Sequence, residues 1–288
     1  MKLIATFVLL ITLLGSLPVF SQSITGQLNI PNLDTEKDML IHQLLDLALS
    51  KTGSNVEYIA QPNQLSAGRL VERVESNKVD VFWAGMSPEV EEALAPIRIP
   101  IFKGLLGHRI FVIRRGDEHR FKSVKTLSDL QHFSAGQGRF WGDTDILQKA
   151  GLPVTTTVKG ANLWPMLDGG RFDYFPLAVH EPWSEIDARP DLDLTVDSNV
   201  LLAYPFAMYF YVNKNNTELY KAIETGMNIA IEDGSYDKML FNSSMLKDAL
   251  VRAKVADRAV IRIANPTMHP DTPVDVAKYW FDPTAKLF

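Results

Sequence analysis

The chain contains no cysteine among its 288 residues, which excludes disulfides, thiolate metal sites and a cysteine nucleophile. It also lacks any run of basic residues: 29 lysines and arginines stand against 34 aspartates and glutamates, for a formal net charge of −5. A mildly acidic chain without a basic patch is poorly suited to bind nucleic acid or an anionic membrane. We therefore expect no nucleic-acid partner and a fold that is stabilised by burial of apolar side chains.

Long apolar runs are also scarce, and the clearest one stands at the N-terminus. Lys2 precedes an apolar stretch at residues 3–14, and Val19 and Ser21 suit the positions before a signal-peptidase cut. The stretch is much shorter than the ~20 residues of a bilayer-spanning helix, which disfavours an uncleaved anchor. The sequence predicts a signal peptide at residues 1–21, cleavage after Ser21 and export to the periplasm.

The remaining chain alternates strand patterns with helix patterns. A first strand at 27–30 precedes a capping box formed by Thr35 and Asp38, and the helix after it has a broad apolar face. The alternation continues through residues 55–93, where Ser87-Pro88-Glu89 predicts a helix start, and it resumes after residue 108, with a long helix of apolar spacing predicted at residues 217–232. This order predicts an α/β fold, with mixed, mainly parallel sheets flanked by helices. The length fits two lobes.

The most informative residues are GQGRFWGDTDILQKAG at 136–151 and GGRFDYFPLAVHEPW at 169–183. The first reads as a glycine-rich turn that enters a helix, with Asp143 or Thr144 as the predicted N-cap. Free backbone N–H groups at such a helix start suit a small polar or anionic ligand. Because no catalytic set of side chains accompanies this pattern, we expect binding without chemistry: no enzyme and no cofactor.

Several segments resemble bacterial periplasmic solute-binding proteins of family 3, which have the type II periplasmic binding fold. The matching segments, which span about residues 24–243, are NKVDVFWAGMSPE, GHRIFVIRRGDE, KTLSDL, GQGRFWGDT, LDGGRFDYF and LYKAIETGMNIAIEDGSYDKML. The resemblance implies that two lobes close about a hinge on a small polar molecule, such as an amino acid or related compound. It implies an inner-membrane ABC permease, or a sensor protein, as partner of a monomeric receptor.

The resemblance also implies the order of the lobes along the chain. Residues 22–107 form the first part of lobe 1, residues 108–203 form lobe 2, and residues 204–288 return to lobe 1 with a C-terminal extension.

Two stretches match the positions that contact ligand in this family. In the first lobe they are the end of a strand at Ala84 and Gly85, together with Ser87. In the second lobe they are the helix start at Gly142, Asp143 and Thr144, which by resemblance receives a ligand carboxylate.

The sequence departs from the family pattern at two charged positions. Val90 stands where an arginine commonly clamps the carboxylate, and Leu177 and Ala178 stand where an acidic residue commonly grips the ligand amine. Glu181 is the nearest acid. These departures argue against standard recognition of an α-amino acid.

Charged candidates leave two interpretations open. Asp143 serves either as an N-cap, worth about 1 kcal/mol, or as a ligand acceptor, and its carboxylate would repel an approaching anion. That repulsion indicates a ligand with cationic or hydroxyl groups. Arg98 and Arg139 either clamp an anion, because a guanidinium binds carboxylates in bidentate fashion, or face solvent.

Aromatic residues at strand ends and turns are candidates for the cleft. Trp83, Trp141 and Tyr174 would suit sugar-like, cationic or ring-bearing ligands, whereas Phe175 and Trp164 are expected to be structural. The predicted ligand-binding residues are Trp83, Ala84, Gly85, Ser87, Arg98, Arg139, Trp141, Gly142, Asp143, Thr144, Tyr174 and Glu181.

Two alternatives to solute import remain. A binding module that signals to a membrane protein would use the same closure. An exported hydrolase would need a nucleophile–base pair or a metal cluster: the pair His180-Glu181 lacks the spacing of a zinc motif, and Ser87 lacks the second glycine of a nucleophile elbow. We expect no metal site.

Overall fold

A computed structural model describes residues 23–139 and 141–284, so the predicted signal peptide at 1–21 lies outside the described residues. The strands are β1 Thr25–Ile30, β2 Asn55–Ala60, β3 Val81–Gly85, β4 Ala95–Ile97, β5 His108–Arg114, β6 Ala135–Gly138, β7 Val154–Thr157, β8 Phe175–Ala178, β9 Leu194–Val196, β10 Val200–Ala203, β11 Met208–Val212 and β12 Ala259–Arg262. The α-helices are α1 Glu36–Lys51, α2 Ala67–Glu75, α3 Pro88–Ala93, α4 Glu118–Phe121, α5 Leu127–Leu130, α6 Gly142–Lys149, α7 Leu163–Asp168, α8 Pro182–Asp187, α9 Thr217–Glu232, α10 Ser235–Phe241 and α11 Ser244–Ala253.

The first lobe is built on β1 paired in parallel with β2, and on β3, β11 and β4 paired in that order. Strand β11 is antiparallel to both of its neighbours because the chain re-enters this lobe from the opposite direction. Helices α1 and α9 pack together against these strands. Gly226 of α9 permits this approach, since a Cβ atom there would lie 1.8 Å from the carbonyl oxygen of Ala48.

Half of the capping box predicted for the first helix is confirmed, with Thr35 as the N-cap. The Thr35 hydroxyl accepts a hydrogen bond from the Asp38 backbone N–H at 3.0 Å, so one of the free donors of the first turn is satisfied. The apolar stripe that follows, Leu40 to Leu49, is buried on its inner face. The sequence pattern therefore determined both where α1 begins and which side it buries.

The second lobe is centred on β5. This strand pairs antiparallel with β8, β9 and β10, and β12 pairs in parallel with β10. Strands β6 and β7 form a separate parallel pair. The predicted two-lobe α/β architecture with mixed sheets is confirmed. Antiparallel pairs are more prominent than the alternating pattern indicates, because long-range returns of the chain bring β10 and β11 beside earlier strands.

Two crossing segments, residues 102–107 and 204–207, connect the lobes side by side. The Tyr204 N–H donates to the Gly107 carbonyl at 3.0 Å. A Cβ atom at Gly107 would lie 1.9 Å from the Tyr204 carbonyl oxygen. Only glycine permits this contact, so the junction between the lobes is narrow and closely packed.

The C-terminal residues cross the junction as well. After α11 the chain joins the second-lobe sheet as β12, and it then returns to the first crossing segment, where the Phe281 N–H donates to the Lys103 carbonyl at 2.7 Å. Trp280 packs on Gly104, whose φ of 71° lies in the left-handed region that favours glycine. The extension is therefore integrated with both lobes.

Within residues 23–139 and 141–284, no helix has both the length and the apolar character needed to cross a bilayer.

Candidate functional site

A cavity of about 540 Å³ opens where the crossing segments meet the second lobe. Leu106 and Phe206 of the two crossing segments form its floor, and Lys37 of α1 reaches it from the first lobe. The other lining residues belong to the second lobe. A volume of this size falls within the range of pockets for small organic ligands.

Trp141 forms the exposed aromatic wall of the cavity. Its indole rests against two glycines, because a Cβ atom at Gly138 or Gly160 would come within 2.5 or 3.0 Å of the ring. Trp141 remains 42% exposed and stacks on Phe175, with the ring centroids 6.1 Å apart and the planes 18° from parallel. Because these two glycines have no side chains, the Trp141 ring packs directly on their backbone and stays accessible at the mouth of the cavity.

Trp164 extends the aromatic wall. Its ring meets Phe175 edge-on at 5.1 Å, and the Arg189 guanidinium lies 4.3 Å from the centre of the indole. Glu185 pairs with Arg189 at 2.7 Å. Sequence reasoning assigned Trp164 and Phe175 to structural positions. Phe175 is 2% exposed, yet both residues contribute to the lining.

A buried ion pair stands at the back of the cavity. The Arg109 Nη2 donates to Asp143 Oδ1 at 2.8 Å, and the Tyr204 hydroxyl donates to the same oxygen at 2.6 Å. Burial would by itself lower the pKa of Arg109, but the Asp143 carboxylate holds that pKa above its ordinary value. Burial raises the pKa of Tyr204, so its hydroxyl stays a proton donor. Arg109 is therefore a permanent cation that already has a partner.

Glu181 places a second carboxylate at the cavity. Its Oε2 accepts from the Ala178 N–H at 2.7 Å and lies 3.8 Å from Arg109 Nη1, and the side chain is 38% exposed. Glu181 is also the N-cap residue of α8, which begins at Pro182. Its carboxylate is the more solvent-accessible of the two acids beside Arg109.

The predicted cap of α6 is wrong. Helix α6 begins at Gly142, and Trp141 is its N-cap residue. The two polar side chains that the sequence offers as caps are used elsewhere: the Thr144 hydroxyl donates to the Gly138 carbonyl at 2.7 Å, and Asp143 binds Arg109. Because Asp143 and Thr144 bind these partners, neither side chain caps α6.

The predicted first-lobe residues lie outside this cavity. Trp83 is 6% exposed and donates from Nε1 to Asp38 Oδ1 at 2.8 Å. The Ser87 hydroxyl donates to Glu89, next to Ala84 and Gly85 at the end of β3. These positions bond within their own lobe.

The remaining predicted residues are dispersed. Arg98 pairs with Glu91 at 2.8 Å. Arg139 is exposed. Tyr174 is 0% exposed in the core of the second lobe, where the centroid of its ring lies 4.3 Å from that of Phe111. Of the predicted ligand-binding residues, Trp141, Asp143 and Glu181 line the cavity, while Gly142 and Thr144 flank it in α6.

Sequence reasoning missed the cavity's main cation, Arg109. It stands at the second position of β5, in a strand whose apolar neighbours are all buried, and a charged residue in such a run was the available signal. Lys37, Phe206 and Arg189 carry no comparable local pattern. No group of three or more histidine and carboxylate side chains within residues 23–139 and 141–284 is arranged to hold a metal ion.

No protein-family model matches the sequence, and a comparison with curated proteins finds no match. Solved structures do match. The periplasmic VFT2 domain of Bordetella pertussis BvgS superposes with a TM-score of 0.54 at 15% identity, over 76% of this chain and 93% of that domain. YckB from Bacillus subtilis superposes with a TM-score of 0.50 at 17% identity, over 78% of this chain and 92% of the other. The chain has the two-lobe periplasmic binding fold. At these identities the likeness concerns the fold, which confirms the fold-level resemblance noted in the sequence.

Proposed function

We propose that the protein captures a small solute in the cavity described above and closes its lobes upon it, without chemical conversion. The observation that supports this proposal is the convergence of Trp141, Phe175 and the Arg109–Asp143 pair on one cavity at the junction of the lobes. Apolar rings with a few oriented charged groups are typical of small-molecule sites.

The chemistry of the lining favours capture over catalysis. Among the described residues that line the cavity there is no histidine, serine, threonine or cysteine, so that set lacks a hydroxyl or thiol nucleophile and an imidazole base. His180 stands nearby, but burial lowers its pKa and its Nδ1 is enclosed without a hydrogen-bond partner. It is a neutral, half-buried side chain next to Glu181.

The position of the cavity supports coupling of binding to closure. Lys37 belongs to the first lobe, Leu106 and Phe206 to the crossing segments, and the aromatic wall to the second lobe. A rotation about the crossing segments would change the distances among these groups. A micromolar ligand supplies about 8 kcal/mol of binding free energy, and only its differential affinity for the closed form drives closure.

A screen of the mature protein tests capture directly. Amino acids, amines, sugars and small acids would be added while tryptophan fluorescence and thermal unfolding are recorded, alongside mass spectrometry of ligand that co-purifies. We expect a saturable fluorescence change that Trp141→Phe reduces, because Trp141 is the exposed indole in the cavity. The absence of a fluorescence change, a thermal shift and a co-purified molecule would refute the proposal.

We further propose export to the periplasm and delivery of the solute to an ABC-type importer, as the resemblance implies. Signalling to a membrane sensor is the alternative. Uptake of the labelled ligand by cells with and without the gene distinguishes the two roles. If the protein serves import, cells without the gene should lose uptake. If it serves signalling, those cells should keep uptake and show an altered transcriptional response to the ligand.

A further inference from the structure

The start of α6 has the physical features of a carboxylate-binding position, but a side chain of the protein occupies it. A helix N-terminus carries partial positive charge, and Arg109 stands beside this one. A guanidinium binds carboxylates strongly because it offers parallel N–H donors. In this structure the carboxylate that hydrogen-bonds to Arg109 belongs to Asp143, in the first turn of the same helix, while the Glu181 carboxylate lies 3.8 Å from the other terminal nitrogen.

The contacts of Asp143 show how completely this position is used. Its Oδ1 receives two hydrogen bonds, from Arg109 and from Tyr204, at 2.8 and 2.6 Å. Asp143 is 8% exposed and still contributes to the cavity wall. The Thr144 N–H is bonded to the Trp141 carbonyl at 3.0 Å. A solute carboxylate that approached Arg109 would meet a fixed negative charge at the place where it has to bind.

We propose that Asp143 is a specificity-determining residue, an internal carboxylate that excludes ligand carboxylates from Arg109, and that the cavity selects ring-bearing cations. The inference rests on the proposed capture of a small solute by this cavity. It assigns the chemical class of that solute.

The groups that remain open to a solute favour positive charge. Glu181 presents a carboxylate that is 38% exposed, and the Trp141 ring is 42% exposed. Aromatic faces attract cations, and the aromatic wall already holds one, since Arg189 lies 4.3 Å from the centre of Trp164. Lys37 and Arg189 are the opposing cations of the lining: Lys37 is an exposed side chain of the other lobe, and the Arg189 charge is paired with Glu185 at 2.7 Å.

Three probes of nearly one shape test the charge preference without any mutation: benzamidinium, benzamide and benzoate, with charges of +1, 0 and −1. Affinities are measured by calorimetry or ligand-observed NMR at low ionic strength. For the unmodified protein we expect benzamidinium to bind about tenfold more tightly than benzoate, a difference of about 1.4 kcal/mol, which lies within the range for a cation over aromatic faces. Equal or tighter binding of benzoate would overturn the inference.

Replacement of Asp143 tests the mechanism. Asp143→Ala removes the internal carboxylate and leaves space beside Arg109, so benzoate affinity should rise about tenfold or more while benzamidinium affinity falls. Asp145→Ala is the matched control, because Asp145 lies in the same turn of α6 and is exposed. The double variant Arg109→Gln/Asp143→Ala should lose the gain, because the cation that receives benzoate is gone.

A folding defect is anticipated and controlled. Removal of one partner of a buried pair leaves an uncompensated charge, so Asp143→Asn, which keeps the volume and a hydrogen-bond acceptor for Arg109, is measured in parallel with circular dichroism. The inference is overturned if neither Asp143 variant gains benzoate affinity, or if Asp145→Ala gains as much. If the native protein binds ligand and these gains are absent, the role of Asp143 fails while the proposed capture stands.

Discussion

Trp83 and Trp141 hold comparable places in the two lobes, yet their environments are opposite. Trp83, near the end of β3, is 6% exposed, donates to Asp38 and meets Phe210 edge-on at 6.5 Å. Trp141, at the start of α6, is 42% exposed and rests on glycines. The comparison teaches that the neighbours of an indole decide its role. Trp83 is enclosed by other side chains and belongs to the core. Trp141 packs on glycine backbone, which leaves one face of its ring open to a solute.

The charged groups of the two lobes differ in the same way. In the first lobe, Arg98 bonds to Glu91, and Asp38 bonds to Trp83, so these groups are satisfied locally. In the second lobe, Arg109, Asp143 and Glu181 converge on the cavity from β5, α6 and α8. We therefore expect changes in the first set to affect stability and changes in the second set to affect ligand binding.

The largest expected effect is on stability, from Trp83→Ala. Loss of a buried indole should lower the free energy of unfolding by about 3–5 kcal/mol, measured by urea denaturation. Trp83→Phe keeps a ring and removes only the bond to Asp38, so it should cost less than the alanine variant. A loss near zero for Trp83→Ala would show that this indole is not part of the core and would break the comparison.

The next largest expected effect is a loss of stability at low pH. It arises from His108 at the buried junction of the lobes and not from the cavity. Burial lowers the pKa of His108 to about 4 from its ordinary value of 6.5. The unfolded chain then binds the proton more readily, so the stability contributed by neutral His108 is fully present above pH 6.5, falls as the pH drops from 6.5 to 4, and changes no further below. The total loss is about 3 kcal/mol, checked by denaturation at a series of pH values.

His108→Gln should remove most of this pH dependence, because glutamine does not titrate. His132→Gln is the matched control, since His132 is exposed. An unchanged slope in His108→Gln would show that other groups account for the acid sensitivity.

Trp141→Ala should weaken ligand binding more than it lowers stability, which is the reverse of the effect expected for Trp83→Ala. Removal of the exposed ring should weaken benzamidinium binding by roughly fivefold, in line with about 1 kcal/mol for a cation at an aromatic face, while the free energy of unfolding changes by less than about 1 kcal/mol. Trp141→Phe should retain part of the affinity. Calorimetry with parallel urea titrations separates the two quantities, and a large loss of stability would erase the contrast between the lobes.

Asp38→Ala should have a smaller effect on stability than Trp83→Ala. This change removes the acceptor for Trp83 and the side-chain partner of Thr35, which should cost about 1–2 kcal/mol of unfolding free energy and leave ligand affinity unchanged. Asp34→Ala, an exposed acid just before the helix, serves as control. A change in affinity from Asp38→Ala would place the first-lobe wall within the ligand site.

Much of the fold could be predicted because its signals are local. The Thr35 cap, the Ser87-Pro88 start of α3 and the apolar spacing of α9 each depend on residues within one or two turns. The helix at 217–232 was predicted at its observed bounds. Strand partners were less predictable, since β12 joins β10 across 55 or more residues of chain.

The site was predicted only in part, for a physical reason. Trp141, Asp143 and Glu181 lie within the aromatic, glycine-rich segments that already indicated a ligand site. Arg109, Phe206 and Lys37 reach the cavity from remote parts of the chain. Their positions depend on how two lobes pack, and no local pattern encodes that.

By itself, the sequence determined the α/β alternation, the Thr35 cap of α1 and the apolar faces, because backbone hydrogen bonding and burial follow periodicities of a few residues. Tertiary structure alone decided that Asp143 would meet Arg109 and Tyr204 instead of capping α6, and that Trp83 would be enclosed while Trp141 stayed open. The reason is that a charge or a ring takes its role from neighbours that lie far away in the chain.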